Sequence, residues 1–405
     1  MIGILSCPGG RYFGDSITSH LITTFNQKYR EKIKALSEKY GLTKEELTTK
    51  LNLYQDILPI RFRATVLIQQ QQKSGFAIPA KFTKFANGEF KTELLTTVRD
   101  YDIYIVQDVE NHYPVKYDSC DKLQSLSVND NIMSLLVTAD AALQADAKRV
   151  TVVLPTYPYA RQHQKKGREG LAASRIGQIL EYFGVSRIIT LDIHSKEIEN
   201  SFNHLRLENL HASYQILKVL SSVIDLKDEN LVIVSPDSGS VVRNKFYSST
   251  LKRPLAMIYK ERDYSKTSSN AKKNNITKMR LIGNVKGKNV FICDDMLGTG
   301  GTLLKAMTLL KKRGAQKIIA AVSLPFFSGS ATEVFDQAYK DGIFYRLIGT
   351  NAVYHSKSTL LGKEWYLSAD VSNLFARSIY RLHYNRSLSS LLDNRDMINE
   401  LLRKN

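Results

Sequence analysis

Cysteine is scarce: Cys7, Cys120 and Cys293 are the three in 405 residues, and they stand far apart. That number and spacing exclude both a disulfide framework and a cysteine-based zinc module. Long apolar runs are missing as well; none reaches the ~18 residues that span a bilayer. The start, Met-Ile-Gly-Ile-Leu-Ser-Cys7, lacks the basic segment of a secretory leader. These absences lead us to expect a cytoplasmic protein with no membrane partner. Disorder is excluded by the 43% hydrophobic content, spread evenly along the chain. The length suits two or three domains of roughly 100–200 residues each.

Acidic residues are the minority charge, 39 against 57 basic ones, for a formal net charge of +18. Such an excess suits nucleic acid, an anionic surface or small polyanionic substrates. No short stretch of Lys and Arg reaches the density of a nucleic-acid arm. Much of the excess therefore reads as solvated surface, with phosphate-bearing small substrates next and polynucleotide last.

Short runs rich in Ile and Val predict strands over 2–5, 103–107, 149–154, 187–191, 231–235, 255–259, 289–293, 317–323 and 344–348. Helical periodicity falls between them, over 132–144, 172–183, 214–223, 302–312, 331–339 and 371–382. This alternation predicts an α/β protein of parallel βαβ units, whose ligands bind beyond the carboxyl ends of the strands. Residues 29–75 and 108–128 break the rhythm and read as surface-lying insertions. Within the first, Thr43-Lys-Glu-Glu46 is a capping box ahead of a short helix.

Three strands end in turns that carry chemistry. The segment Val290-Phe-Ile-Cys-Asp294-Asp295-Met-Leu-Gly298-Thr299-Gly300-Gly301-Thr302 brings two carboxylates to a strand tip, then opens a helix with a Gly/Thr loop. N–H groups at such a helix start bind phosphate. Acids beside that cradle suit a sugar phosphate, acting on ribose hydroxyls or on magnesium. The plain alternative is a Gly-rich connection with two exposed acids, and the combined pattern argues against it. The turn Ser-Pro-Asp237-Ser-Gly239-Ser240 offers a carboxylate for a metal or amides for a diphosphate, although Pro-Asp-Ser-Gly is also a common turn. Asp192-Ile-His194 ends a third strand, where His194 suits a metal or a phosphate.

Two basic stretches complete the set. Tyr157-Pro-Tyr-Ala-Arg161-Gln162-His163 follows a strand and suits nucleotide phosphates. Lys260-Glu-Arg262 puts both cations on one face of an extended chain and leads into a polar segment, 263–278, that suits a mobile lid over phosphates. Either one, standing alone, reads as an exposed basic loop.

Together these segments resemble the ribose-phosphate pyrophosphokinase family, the synthetases of phosphoribosyl pyrophosphate. The resemblance extends to Phe85-Ala-Asn87-Gly-Glu89, Val98-Arg99, Asn129-Asp-Asn131 and the C-terminal Ala376-Arg-Ser-Ile-Tyr-Arg-Leu-His383. It implies two tandem phosphoribosyltransferase-type, doubly wound parallel-sheet domains. The first is expected over 1–208 with 386–405, the second over 209–385. It implies transfer of the β,γ-diphosphoryl group of ATP to the anomeric hydroxyl of ribose 5-phosphate, releasing AMP. By position, Thr299, Gly300, Gly301 and Thr302 would hold the 5-phosphate, and Asp294 and Asp295 the ribose. Arg161 and Gln162 would hold ATP, with Phe85, Asn87 and Glu89 of a neighbouring subunit reading adenine in a homo-oligomer. His194 and Asp237 would coordinate Mg2+, and Lys260 and Arg262 would act in catalysis on the moving diphosphoryl group.

Three positions depart from the family pattern: His163 stands in place of an Asp, Ser240 in place of a Gly and Gly298 in place of an Asp. Two rivals share the fold. A phosphoribosyltransferase needs the 294–302 loop without 159–162 or 260–262. A non-catalytic or nucleic-acid-binding relative has no need to keep Lys260, Arg262, His194 and both acids.

Overall fold

The computed structural model describes residues 1–50, 75–118, 120–165, 167–262 and 276–404. The first half contains strands β1 (Ile2–Ser6), β2 (Ala80–Lys84), β3 (Phe90–Leu94), β4 (Asp102–Val106), β5 (Val115–Tyr117), β6 (Cys120–Gln124), β7 (Arg149–Val153), β8 (Arg187–Leu191) and β9 (Arg206–Leu210). Its helices are α1 (Arg11–Tyr40), α2 (Lys44–Lys50), α3 (Val128–Gln144) and α4 (Ala172–Tyr182). The second half continues with α5 (Ser213–Leu220), β10 (Leu231–Ser235), α6 (Val241–Leu251), β11 (Leu255–Arg262), β12 (Ile276–Ile282) and β13 (Asn289–Leu297). It closes with α7 (Gly301–Lys312), β14 (Ile318–Pro325), α8 (Ala331–Lys340), β15 (Arg346–Thr350), β16 (Tyr366–Ala369), α9 (Ser372–His383), α10 (Ser389–Leu392) and α11 (Arg395–Lys404). None of the described helices is long and apolar enough to cross a membrane.

Strands such as β10 and β14 are buried along their whole length, because helices cover both faces of a parallel sheet; their buried serines, Ser235 and Ser323, are hydrogen-bonded. Among the described residues, β1-β4-β7-β8-β9 form one parallel sheet and β12-β11-β10-β13-β14-β15-β16 the other, with β12 antiparallel to β11. In the first sheet, Ile4 also bonds the backbone of Phe76 and Ile78 on the far edge of β1. The chain thus steps outward from β1 before returning to β4. In the second, it steps outward from β10 to β11 and β12 before returning to β13. Each reversal opens a crevice at the carboxyl ends of the strands, the place where open α/β sheets bind ligands.

The halves share a core. One apolar cluster runs from Ile4, Phe13 and Leu217 to Phe291, Phe375 and Ile379, and Phe13 meets Phe375 edge to face at 5.1 Å. This packing seats α9 on α1 and fixes one sheet against the other. The C-terminal α10 touches β9, while α11 packs on α5.

All the strands expected from Ile/Val runs are present. The β2–β3 and β5–β6 hairpins and the strands β9, β12 and β16 are additional. The hairpins and β9 mix polar with apolar residues, so they lack a continuous run to betray them. The Thr43 box forms: the Thr43 N–H donates to Glu46 at 2.8 Å, and the Glu46 N–H donates to Thr43 at 3.2 Å. Of the 29–75 insertion, 29–40 continues α1, and 51–74 lies outside the described residues. The expectation that 108–128 lies on the surface needs correction. Asp108, Val109, Asn111 and Tyr117 are buried, and the Tyr113 hydroxyl reaches Thr359 of the other half at 2.7 Å. Asp108 and Tyr113 brace the halves, while Lys116, Asp118, Lys122, Ser125 and Ser127 farther along the segment stay exposed.

Candidate active site

The crevice between β10 and β13 gathers most of the residues singled out in the sequence. The buried run Phe291–Cys293 carries β13 to its tip, where Asp294 and Asp295 emerge half-buried. Asp294 Oδ1 accepts the Ser240 hydroxyl at 2.8 Å and the Asp295 N–H at 3.0 Å. Burial, with the negative charges of Asp295 and Asp237 alongside, pushes the Asp294 carboxyl up to about 7. Burial acts on Asp295 as well, but the hydrogen bond from His194 and the charge of Arg243 outweigh it and hold this carboxyl below its usual value. The pair therefore divides into one acid that keeps its proton easily and one that stays ionised.

Beyond the acids the chain turns sharply into α7. Gly300 sits at φ 72°, and a Cβ there would lie 2.3 Å from Phe335. Only glycine fits that combination of left-handed backbone and close packing. No side chain caps α7, so its first N–H groups are left for an anion.

The turn after β10 places Asp237 beside the pair. Its Oδ1 accepts the Ser240 N–H at 3.0 Å and its Oδ2 the Lys260 ammonium at 2.9 Å. Burial opposes ionisation here, and the hydrogen bond and charge of Lys260 overcome it, holding Asp237 below its usual value. Lys260 reaches this point from β11 and is almost fully covered. The side chain of Arg262 and the lid segment 263–275 lie outside the described residues.

From the other half, β8 delivers His194, whose Nδ1 lies 2.5 Å from Asp295 Oδ2. Its neighbour Asp192 is buried, in a left-handed conformation at φ 42°. It accepts from His211, Ser323 and the Ala212 N–H, and pairs with Arg243 at 3.2 Å. Asp192 is thus a structural tie between the halves, not a free site carboxylate. Arg161 also crosses over: its Nε donates to Met296 Sδ at 2.7 Å, and its guanidinium lies 5.9 Å from the Phe326 ring. A Cβ at Gly298 would stand 3.6 Å from that guanidinium. Gln162 follows on the same turn, its N–H bonded to the Tyr159 carbonyl and its side chain exposed.

Phe85, Asn87 and Glu89 stand apart on the turn joining β2 and β3, where Asn87 accepts the Glu89 N–H at 3.2 Å. Phe85 is 47% exposed. Among the described residues no hydrogen bond or ion pair links this turn to the acid pair. No sequence pattern pointed to Arg243, in the first turn of α6, or to Glu110, which lies near Arg161 and is pushed upward by burial. Ser240, which stands where the family has a Gly, donates its hydroxyl to Asp294 and its N–H to Asp237. The thiols of Cys7 and Cys293 are buried and pushed up to about 12, which leaves them inert as nucleophiles.

Comparison with known proteins bears directly on this arrangement. Residues 68–184 match the N-terminal domain of ribose phosphate pyrophosphokinase, and residues 204–358 match the phosphoribosyl transferase domain. Ribose-phosphate pyrophosphokinase A of Dictyostelium discoideum is 35% identical over 309 residues, covering 76% of this chain and 88% of the relative. Ribose-phosphate pyrophosphokinase 4 of Saccharomyces cerevisiae is 32% identical over 309 residues, covering 76% and 85%. The crystal structure of phosphoribosylpyrophosphate synthetase from Mycobacterium smegmatis superposes with a TM-score of 0.67 over 95% of this chain and 99% of that one, at 24% identity. That last likeness is one of fold.

Proposed function

The chain belongs to the ribose-phosphate pyrophosphokinase family, and from that premise we propose which residues carry its reaction. It is an enzyme that transfers the β,γ-diphosphoryl group of ATP to the anomeric hydroxyl of ribose 5-phosphate, giving AMP and phosphoribosyl pyrophosphate for nucleotide biosynthesis. The observation that carries the site assignment is the 2.5 Å contact between His194 and Asp295. It joins the nucleotide side of the crevice to the sugar side.

Ribose 5-phosphate sits at the start of α7, its phosphate on the N–H groups and hydroxyls of Thr299, Gly300, Gly301 and Thr302. Asp295, ionised, accepts from a ribose hydroxyl, and Asp294 orients a second one. Arg161 and Gln162 hold the nucleotide phosphates, and the reach of Arg161 to Met296 lets one guanidinium serve both substrates. Phe85, Asn87 and Glu89, on the exposed β2–β3 turn, read the adenine of a neighbouring subunit in a homo-oligomer with a shared ATP site. Lys260, with Arg262 beside it in sequence, meets charge that develops on the transferring group. Diphosphoryl transfer asks for alignment and charge neutralisation more than for a strong base.

The donor set suits a divalent cation. Asp237 offers carboxylate oxygens beside Asp294, and the second ring nitrogen of His194 has no hydrogen-bond partner among the described residues. Among the described residues no group of three His, Cys, Asp or Glu side chains forms a self-sufficient metal cage, which fits an ion that arrives with the triphosphate. Magnesium, bound there, supplies charge neutralisation across the phosphate oxygens.

The test is formation of AMP and phosphoribosyl pyrophosphate from ATP and ribose 5-phosphate in magnesium, abolished by a chelator and restored by the metal. Consumption of phosphoribosyl pyrophosphate by a nucleobase, with no ATP requirement, would instead identify a transferase. Salt-sensitive nucleic-acid binding without AMP release would identify a non-catalytic relative.

A further inference from the structure

We propose that His163 and His194 together present two imidazole nitrogens to the cation of the triphosphate, so that this chain favours a divalent ion of borderline softness, of the cobalt, nickel or zinc class, over magnesium. The inference rests on the reading of His194 as a cation ligand.

The two rings are anchored alike. His163 Nδ1 lies 3.2 Å from the Ala160 carbonyl oxygen. A carbonyl only accepts, so Nδ1 carries the proton. His194 Nδ1 lies 2.5 Å from a carboxylate oxygen, Asp295 Oδ2, which accepts, so Nδ1 donates here too. In a neutral ring the other nitrogen, Nε2, is then a bare acceptor. Neither Nε2 has a hydrogen-bond partner among the described residues. Fixing Nδ1–H on a carbonyl or carboxylate is the usual way a protein sets the tautomer of a metal-binding imidazole.

The spacing agrees. The rings lie 5.3 Å apart between centroids, inclined at 69°. An ion about 2.1 Å from one nitrogen of each ring puts the centroids roughly 4.5–6 Å apart. No third protein ligand joins the two rings among the described residues, so phosphate oxygens and water fill the other positions. One imidazole among oxygens is compatible with magnesium; a second moves the donor set toward ions that imidazole suits better. The plain alternative is an edge-to-face ring contact with no ligand role.

Metal-free, full-length protein is titrated with cobalt(II) chloride in the presence of α,β-methylene ATP, which cannot be cleaved at the bond that breaks. Binding is read from the visible d–d absorption and by calorimetry, with magnesium chloride as the competing ion. We expect His163→Gln and His163→Asp each to weaken cobalt binding at least about tenfold, while magnesium binding to His163→Gln changes by less than about threefold. His194→Gln should weaken both ions. Loss of cobalt affinity in His194→Gln but in neither His163 variant overturns this inference and leaves the reading of the site standing. No loss in any of the three overturns both.

Discussion

The Ser240 hydroxyl donates to Asp294 Oδ1 at 2.8 Å, tying the turn after β10 to the tip of β13. The same residue bonds Asp237 through its N–H, so one side chain and its backbone orient two of the site carboxylates. Ser240→Ala removes the hydroxyl and leaves the backbone bond. The lost hydrogen bond is worth about 1 kcal/mol, which predicts a rise of roughly fivefold in KM for ribose 5-phosphate with kcat changed far less. Ser240→Thr should restore much of the loss. Steady-state kinetics with ribose 5-phosphate varied decides it; a KM within experimental error of the parent removes Ser240 from the site.

Asp295 meets His194 of the other half at 2.5 Å, the contact on which the proposed site rests. Asp295→Ala should weaken ribose 5-phosphate use and release the His194 ring while leaving the fold intact, because the acid stands at a strand tip outside the main clusters. Kinetics and a thermal melt together test this. Unchanged kinetics in a well-folded variant would sink the site assignment.

Lys260 is held in the crevice, paired with Asp237 at 2.9 Å. Loss of a contact that strengthens in the transition state costs on the order of 3 kcal/mol, a hundredfold or more in turnover. A surface charge is worth at most ~1 kcal/mol. Turnover of Lys260→Ala at saturating ATP and ribose 5-phosphate separates the two, and a drop smaller than about fivefold would assign Lys260 a structural role.

Gly300 should tolerate no side chain. With φ at 72° and Phe335 2.3 Å from the position of a Cβ, Gly300→Ala must strain the backbone and displace a buried ring. The expected cost is roughly 2–3 kcal/mol of stability, together with a raised KM for ribose 5-phosphate. A melting temperature equal to that of the parent protein would contradict the packing described for this turn.

Asp108 gives the protein a pH dependence away from the chemistry. It is 2% exposed, accepts the Tyr354 N–H at 2.9 Å across the two halves, and is pushed by burial up to about 7. Its unfolded value is about 3.9. A raised native value means that the folded chain holds the proton more tightly, so this contribution is full below about pH 4 and is lost as pH rises through 7. Asp108→Asn abolishes the titration. Its stability relative to the parent should therefore climb between pH 5 and 8, by on the order of 2–3 kcal/mol. Denaturant melts across that range test it, and a constant difference would show that Asp108 does not titrate there.

What was legible along the chain was local. A run such as Val-Phe-Ile-Cys ahead of Asp294 announces a buried strand, and the Gly/Thr loop after it announces a helix start, because both depend on neighbours within a few residues. Helix α1 was harder to see. Beyond Ile22 its buried positions thin out to Ile33, so the exposed extension carries little amphipathic signal. The 108–118 brace was misread because polar side chains such as Asp108 and Asn111 count as solvated until a second half of the molecule is packed against them.

The amino-acid sequence by itself determined the α/β framework, the two carboxylates of β13, the Gly/Thr start of α7 and the cations at 161 and 260. Each follows from side-chain chemistry and spacing over a short stretch. Only the tertiary structure decided that His194 meets Asp295, that Asp192 is consumed by Arg243, His211 and Ser323, and that the Ser240 hydroxyl bonds Asp294. The His194 and Asp192 contacts join residues from different halves, and Ser240 reaches Asp294 from a neighbouring strand of the same sheet. The shared core around Phe13, Phe291 and Phe375 sets how the halves meet. A pattern read along one strand carries no information about what the opposing sheet presents to its tip.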